Sequence, residues 1–304
     1  MGKHPCDLPP IEYGSPRFQH WAEWLAFQSL GLFFYILPLF LIKAFLKALI
    51  VLAKVVFKKR IADTLLSIQE RLGVSEEESC NILDRSLLNF GWNWVCQISP
   101  STFVKPNNIH THGLELLEKY QSEGKGTVIA AMHLGLWEAV PMAMRYLEHP
   151  LAITVAVQHN PLVDHHLNRT RACDSFHHVL HNRLGIRHTL RYLKGKGTLV
   201  VLSDVDIGPS GVPLPFLGQS ASTPKWPMEL AIRTNSELIV GYTIFNEKGE
   251  LHLHFCPLAK GEQETMDLGR RMNDEMSKVI QQYPEQWFWM QRRWKTPLEN
   301  LRAP

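Results

Sequence analysis

The chain has 304 residues, 45% of them hydrophobic and 20% charged, with 19 glycines and 19 prolines, a globular composition that excludes a low-complexity or disordered chain. A formal net charge of +3 provides no general attraction for nucleic acid, so any electrostatic recognition must come from local placement of lysine and arginine. The five cysteines, Cys6, Cys80, Cys96, Cys173 and Cys256, form no C-x-x-C pair, which excludes a zinc ribbon and a disulfide framework.

From Leu25 to Ile42 the chain runs LAFQSLGLFFYILPLFLI without a charge. As one helix this stretch would be about 27 Å long, close to the thickness of a bilayer core. No basic segment adjoins its start and no small-residue cleavage pattern comes after it, so the helix is expected to stay attached and to continue through KAFLKALIVLAKVVFKKR. In that continuation Lys43, Lys47, Lys54 and Lys58 cluster within roughly 60° of one helix face, opposite Leu, Ile, Val and Phe. Such a stripe suits a helix at an anionic membrane surface. Residues 1–60 therefore read as a membrane anchor or interfacial helix and residues 61–304 as the catalytic domain. Spanning, lying along the surface and packing as a core helix all remain open for the segment. The basic excess after Ile42 favours a cytoplasmic position for the catalytic domain.

Leucines and isoleucines at helical spacing predict helices over Ile61 to Ile98, with Ser75 before Glu76, Glu77 and Glu78 marking one N-terminus. The block FGWNW at Phe90 to Trp94 reads as core or interface. Beyond it, short apolar runs (Thr127 to Met132, Leu151 to Val157, Thr198 to Ser203, Leu238 to Phe245) alternate with longer amphipathic stretches. That alternation predicts an α/β fold, a mixed but mostly parallel sheet flanked by helices.

The sharpest chemical signal is TVIAAMHLGLWEAVPM, in which a strand ends at Met132 and a helix is expected near Leu136, with His133 at the junction and Glu138 one turn on. Ligands of α/β sheets sit at strand ends. A carboxylate on Nδ1 fixes the tautomer and favours the imidazolium, so that Nε2 can take a proton from an alcohol, and Glu138 is the expected partner. An H-x4-E spacing alone is equally compatible with a structural histidine. No G-x-S-x-G nucleophile is present, since GPSG at Gly208 and GQSAS at Gly218 both fail the pattern, so direct transfer to a substrate hydroxyl is favoured over an acyl-enzyme. His177 and His181 have the i, i+4 spacing of two metal ligands but lack a matching third, and no metal is expected. Arg169 and Arg171 could donate to an oxyanion or to phosphate, or could pair with Asp164 and Asp174. Asp204, Asp206 and Gly208 come after a strand, as site residues or as a turn. Arg292, Arg293 and Lys295 close a tail containing Trp287, Trp289 and Trp294, suited to a headgroup interface or to a docked C-terminal segment.

Taken together, these blocks resemble the late acyltransferases of lipid A biosynthesis, within the wider glycerolipid acyltransferase superfamily. The resemblance runs over His133 to Glu138, NPLVDHHLNRTR at Asn160 to Arg171, LSDVDIGPSGVPLPFLGQSASTP at Leu202 to Pro224, and PEQWFWMQRRWKT at Pro284 to Thr296. It implies an inner-membrane enzyme, its catalytic domain facing the cytoplasm, that moves an acyl chain from acyl carrier protein to a glycolipid hydroxyl without any further cofactor. It places the catalytic pair on His133 and Glu138, and substrate-binding roles on Arg169, Arg171, Asp204, Asp206, Gly208, Arg292 and Arg293. The chain departs from the pattern at Leu136, where asparagine is usual, and at Gln291, where histidine is usual, and both changes bear on the acceptor. Alternatives are an acyl-CoA-dependent acyltransferase for another lipid, such as a phosphatidylinositol mannoside or a lyso-lipid, and a catalytically silent lipid-binding homologue.

Overall fold

The computed structural model describes residues 15–149, 151–154, 158–171, 176–179 and 183–301, with side chains described except at 168–185 and 298. Cys6, Cys173, Asp174 and His181 lie outside the described residues, as do the side chains of Arg169, Arg171 and His177.

Among the described residues four helices come first: α1 (Phe18–Ile36), α2 (Leu39–Val56), α3 (Lys58–Leu72) and α4 (Glu76–Ile98). The single helix expected from Leu25 to Arg60 is thus broken twice. Pro38 has no N–H to donate and restricts its predecessor, and Leu37 is extended at φ −76°, ψ 140°. The second break falls at Phe57, at φ −105°, ψ 37°. Among the described residues no helix is long and apolar enough to cross a membrane. The lysine stripe is broken up as well: Lys58 belongs to α3, and Lys54 pairs with Asp84 of α4.

The first two helices bury only a narrow stripe. Phe34, Ile42 and Leu46 are 5% exposed or less and share a core with Val95 and Ile98 of α4. Gly91 makes room for this approach, because a Cβ there would lie 3.0 Å from Leu46 Cδ2. Trp24, Phe27 and Ile50 are half-buried, and most of the other large apolar side chains, including Leu32, Tyr35, Phe40, Val51 and Val55, are exposed. Helix α4 starts where expected, Ser75 Oγ accepting from Glu78 N at 3.2 Å with three glutamates in the positive first turn.

The remainder is a helix-covered sheet. Its strands are β1 (Ile109–His112), β2 (Thr127–Ala131), β3 (Leu151–Thr154), β4 (Phe176–Val179) and β5 (Thr198–Leu202), then a separate hairpin of β6 (Val212–Phe216) and β7 (Gln219–Thr223), then β8 (Glu237–Phe245) and β9 (Leu251–Pro257). The helices between them are α5 (Glu115–Ser122), α6 (Val140–Tyr146), α7 (Pro161–Arg171), α8 (Arg183–Lys194), α9 (Trp226–Thr234) and α10 (Thr265–Gln282). Seven strands form the main sheet in the order β1-β9-β8-β2-β5-β3-β4. Pairing is parallel throughout except between β8 and β9, so the sheet is mixed and mostly parallel, as predicted. Central strand β2 is buried on both faces: Val128 and Ala130 pack with Met228, Met272 and Met276, and Ile129 with Leu136, Ala143 and Leu253. Full burial explains its unbroken apolar run. Strands β1 (IHTH) and β9 (LHLHFCP) escaped prediction because alternating histidines do not read as an apolar run.

The strand order locates the site. The chain leaves β2 toward β3 on one side and leaves β5 toward β8 on the other, although β2 and β5 are neighbours. Connections that diverge in this way open a crevice at the carboxyl ends of the two strands, where α/β proteins bind ligands.

Candidate active site

His133 lies just past β2 and Asp204 just past β5, and the parallel register brings them together. Ala131 pairs with Leu202, and Ser203 N donates to Ala131 O at 2.8 Å, which sets residues 133 and 204 side by side across the crevice. Asp204 accepts the backbone N–H of His133 on Oδ2 at 2.9 Å and meets the ring Nδ1 on Oδ1 at 2.8 Å. Trp287 Nε1 at 2.8 Å and Gln291 Nε2 at 3.1 Å also donate to Oδ2.

Asp204 is fully buried. Burial alone would raise its pKa, but the charge and hydrogen bond of His133, with the Trp287 and backbone donors, bring it down to about 2. Burial likewise pulls His133 downward, and the charge and hydrogen bond of Asp204, helped by the more distant Glu138, outweigh it and leave the pKa raised above 6.5. The imidazolium is therefore stabilised in place, which is what a base needs after accepting a proton. With Nδ1 committed to Asp204, Nε2 is the nitrogen left for a substrate.

The loop between the strand and α6 is held from several sides. Gly135 is left-handed at φ +64°, and a Cβ there would lie 2.0 Å from Thr243 O, so only glycine fits. Thr243 Oγ1 donates to Leu134 O at 2.9 Å. Asn93 of α4 clamps the loop twice, donating to Gly135 O at 2.7 Å and accepting from Glu138 N at 3.1 Å. The C-terminal segment runs alongside, with Phe288 N donating to His133 O at 2.9 Å and Gly135 N to Gln286 O at 2.9 Å.

The expected placement of Glu138 on Nδ1 is corrected by this geometry, since Asp204 holds that position. Strand pairing delivers residue 204 to the imidazole, while the N–H of Glu138 is tied to α4, in a 3-10 turn over Trp137–Ala139 rather than in the expected helix. Glu138 and His133 nevertheless line one cavity of about 350 Å³, together with Phe90, Trp137, Phe288 and Gln291. A neighbouring cavity of about 220 Å³ shares Trp137 and Glu138 and is otherwise walled largely by apolar groups such as Val140, Pro141, Ile153 and Leu202.

The remaining predicted residues divide. Asp206 uses both oxygens on structure: Oδ1 accepts from Gly208 N at 2.8 Å and Thr296 Oγ1 at 2.6 Å, and Oδ2 from Thr296 N at 2.9 Å. Gly208 takes φ +72° in that turn. Arg293 is 1% exposed, donates to Ser222 O and to Thr223 Oγ1, and lies 4.6 Å over the Phe216 ring. Burial lowers its pKa to about 10, against the raising pull of Asp204 and Asp206. Arg292 is exposed and lines a separate cavity of about 710 Å³ with Lys58, Lys59, Arg60 and Lys295, where Asp63 is the one acid on the wall among the described residues. Arg169 and Arg171 end α7, and their side chains lie outside the described residues.

Sequence reasoning missed Asn93 and Trp287 as positioning residues and treated Gln291 only as a departure. All three stand in the aromatic blocks FGWNW and PEQWFWMQRRWKT, whose polar members were the available signal. Gln291 donates to Asp204 while its buried Oε1 has no hydrogen-bond partner among the described residues.

Known proteins resemble this chain over much of its length. A lipid A biosynthesis acyltransferase of Haemophilus influenzae is 25% identical over 181 residues, covering 59% of this chain and 56% of that protein, so the chain spans little more than half the length of this relative. The sequence model for bacterial lipid A biosynthesis acyltransferases matches residues 12–296, nearly the whole chain. The chain belongs to the bacterial lipid A biosynthesis acyltransferase family.

Proposed function

We propose that the protein transfers a fatty acyl group from a thioester donor to a hydroxyl of a glycolipid acceptor, such as a lipid A precursor, with His133 as general base. The observation that carries this reading is the His133–Asp204 hydrogen bond at the crevice, which aims one basic nitrogen at a cavity. In the proposed step His133 Nε2 removes the acceptor's hydroxyl proton as the oxygen attacks the thioester carbon. The tetrahedral intermediate then collapses with loss of the thiolate, which takes the proton from the imidazolium. An ester and a thiol result, and no residue of the chain is acylated. Glu138 supports the positive charge across the cavity, and the adjoining apolar cavity takes the first part of the acyl chain. The assay is acyl transfer to a phosphorylated glycolipid by the purified full chain, with acyl carrier protein and coenzyme A thioesters compared as donors. Absence of transfer with every donor and acceptor, or an acyl adduct on the protein after mixing with donor alone, sinks the mechanism.

The cavity lined by Lys58, Lys59, Arg60, Arg292 and Lys295 is proposed to take the acceptor's phosphates, for which clustered arginine and lysine are suited. The two cavities are lined by different residues of one segment, Phe288 and Gln291 on the His133 side and Trp289 and Arg292 on the basic side, and one acceptor molecule is proposed to address both. Changing Arg292 and Lys295 together to Gln is expected to raise KM for a phosphorylated acceptor about tenfold, roughly 1.4 kcal/mol, with kcat kept. An equal effect on a dephosphorylated acceptor contradicts the assignment.

We place the protein at the cytoplasmic face of the inner membrane, held by the exposed apolar surface of α1 and α2. Two helices bent at Pro38, each with one thin buried stripe, suit partial immersion in the headgroup layer. Phe40→Glu with Val55→Glu, both at exposed positions, should weaken vesicle binding by tenfold or more, since each apolar side chain is worth about 1.5–3 kcal/mol on burial. Lys43→Gln with Lys47→Gln should weaken binding only on anionic vesicles at low salt, by about 1 kcal/mol per charge. Unaltered co-sedimentation of the double glutamate variant refutes the surface assignment.

A further inference from the structure

The edge strand β1 and its neighbour β9 each carry a His-x-His pair, and their parallel register sets His110 opposite His252 and His112 opposite His254. Strand alternation turns all four imidazoles to one face of the sheet. The rings of His110 and His252 stack with centroids 4.7 Å apart, those of His112 and His254 at 4.3 Å, and His112 Nε2 meets His252 Nδ1 at 3.1 Å. Glu250, just before β9, brings its Oε2 to 3.7 Å from His252 Nε2. One donor atom from each of His110, Glu250 and His252 lies within 4.8 Å of the other two.

We infer that His110, His252 and Glu250 form a binding site for one zinc-type divalent ion, distinct from the acyl-transfer site. Two imidazole nitrogens and one carboxylate oxygen are a zinc ligand set that leaves the fourth position to water. With metal–ligand distances of about 2.0–2.2 Å, tetrahedral donors stand about 3.4 Å apart, so the three must close by about 1 Å. Small rotations of the exposed His110 and the half-exposed Glu250 supply that closure. The supporting contacts are already built. With the proton on His252 Nδ1, that N–H donates to His112 and fixes the tautomer that presents Nε2 toward Glu250. Asn246 Nδ2 donates to Glu250 Oε2 at 2.6 Å, and its Oδ1 accepts from the backbone N–H groups of Lys248 and Glu250 at 3.0 Å, which anchors the carboxylate to the β8–β9 turn. Magnesium and calcium prefer oxygen donors and suit this set poorly. The ion is structural: it joins β1, more than a hundred residues earlier in the chain, to the start of β9, at an edge separated from His133 by β8.

Untagged full-length protein, stripped with chelator, is titrated with zinc chloride by calorimetry and followed by thermal melting, with magnesium chloride as control. One equivalent of zinc should bind, and the midpoint should rise with zinc concentration but not with magnesium. His252→Ala and Glu250→Gln should each weaken zinc binding at least tenfold and remove the thermal gain. His112→Ala, which removes the outer hydrogen bond together with the ring stack on His254 but none of the three ligands, should weaken binding by about 10-fold to 100-fold. Should His252→Ala lower the metal-free midpoint, Glu250→Gln in the turn carries the test. Zinc binding of wild-type affinity in both His252→Ala and Glu250→Gln, equal stabilisation by magnesium, loss of binding only when His177 and His181 are replaced, or no binding at micromolar zinc each overturns the assignment.

Discussion

Asp204→Asn is expected to lower the rate of acyl transfer by about 10⁴, the loss that a wrong histidine tautomer causes in a hydrolase triad. Four donors converge on this carboxylate: His133 through both its backbone N–H and Nδ1, Trp287 and Gln291. Three of them reach Oδ2, so the asparagine carbonyl is expected to take the Oδ2 position and leave its amide facing His133 Nδ1. An NH₂ group there requires Nδ1 to accept, which moves the ring proton to Nε2 and deprives the reaction of its base. The packing of the loop persists because three of the four bonds survive. Asp204→Ala, by contrast, leaves several buried donors unsatisfied at about 1–3 kcal/mol each and is expected to destabilise the fold. Kinetics and thermal melting of the two variants side by side distinguish a tautomer effect from unfolding. A folded Asp204→Asn variant retaining a tenth of wild-type activity rules out the positioning role.

His133→Ala should lower transfer by about 10²–10⁴, the range for a general base, with the donor still bound. The acid limb of the wild-type kcat/KM profile should show a pKa above 6.5, since Asp204 and Glu138 raise that of His133 and the neutral ring is the active form. Glu138→Gln removes the more distant negative charge and should shift this limb to lower pH, and Asp204→Asn should shift it the same way on a much lower plateau. If Glu138→Gln leaves the limb in place, Glu138 does not act through the charge of His133. Stability depends on the same groups with opposite signs. Asp204, depressed from 3.8 to about 2, contributes stability above pH 3.8 that is lost as pH falls toward 2. His133, raised, contributes stability below pH 6.5 that is lost as pH rises through its folded pKa. His133→Ala should lose its own contribution and the part of Asp204's that the imidazole supplies, the Trp287 and backbone donors remaining, with the largest deficit in melting temperature between about pH 4 and pH 6.5.

Much of the fold was legible because local rules decide it. The buried strands Thr127–Ala131, Thr198–Leu202 and Glu237–Phe245 are apolar runs that fully covered strands require, and Ser75 with the three glutamates after it caps α4 by contacts within one turn. Pro38 was equally visible, but its effect was outweighed by the hydropathy around it, and a predicted continuous helix became two. Hydropathy sums over a window, whereas one missing N–H acts at a point.

His133 and Glu138 stood out because strand end, histidine and carboxylate adjoin in the chain. The sequence by itself also placed a histidine at one strand end and Asp204 with Asp206 after another, and it contains no nucleophile elbow, but it offered Glu138 alone as the partner of the histidine. Which carboxylate reaches Nδ1 was decided by tertiary structure alone. Residue 204 is 71 positions from residue 133, and only the parallel register of Ala131 with Leu202 makes them neighbours. The same holds for Asn93, Trp287 and Gln291, which come from α4 and from the C-terminal segment, and for the β1–β9 histidines, whose partners lie about 140 residues apart. Periodicity and capping are readable because they depend on residues within a turn or a strand of one another. A hydrogen bond across a sheet depends on which strands pair and in what register, and that is set by the burial of the whole chain at once.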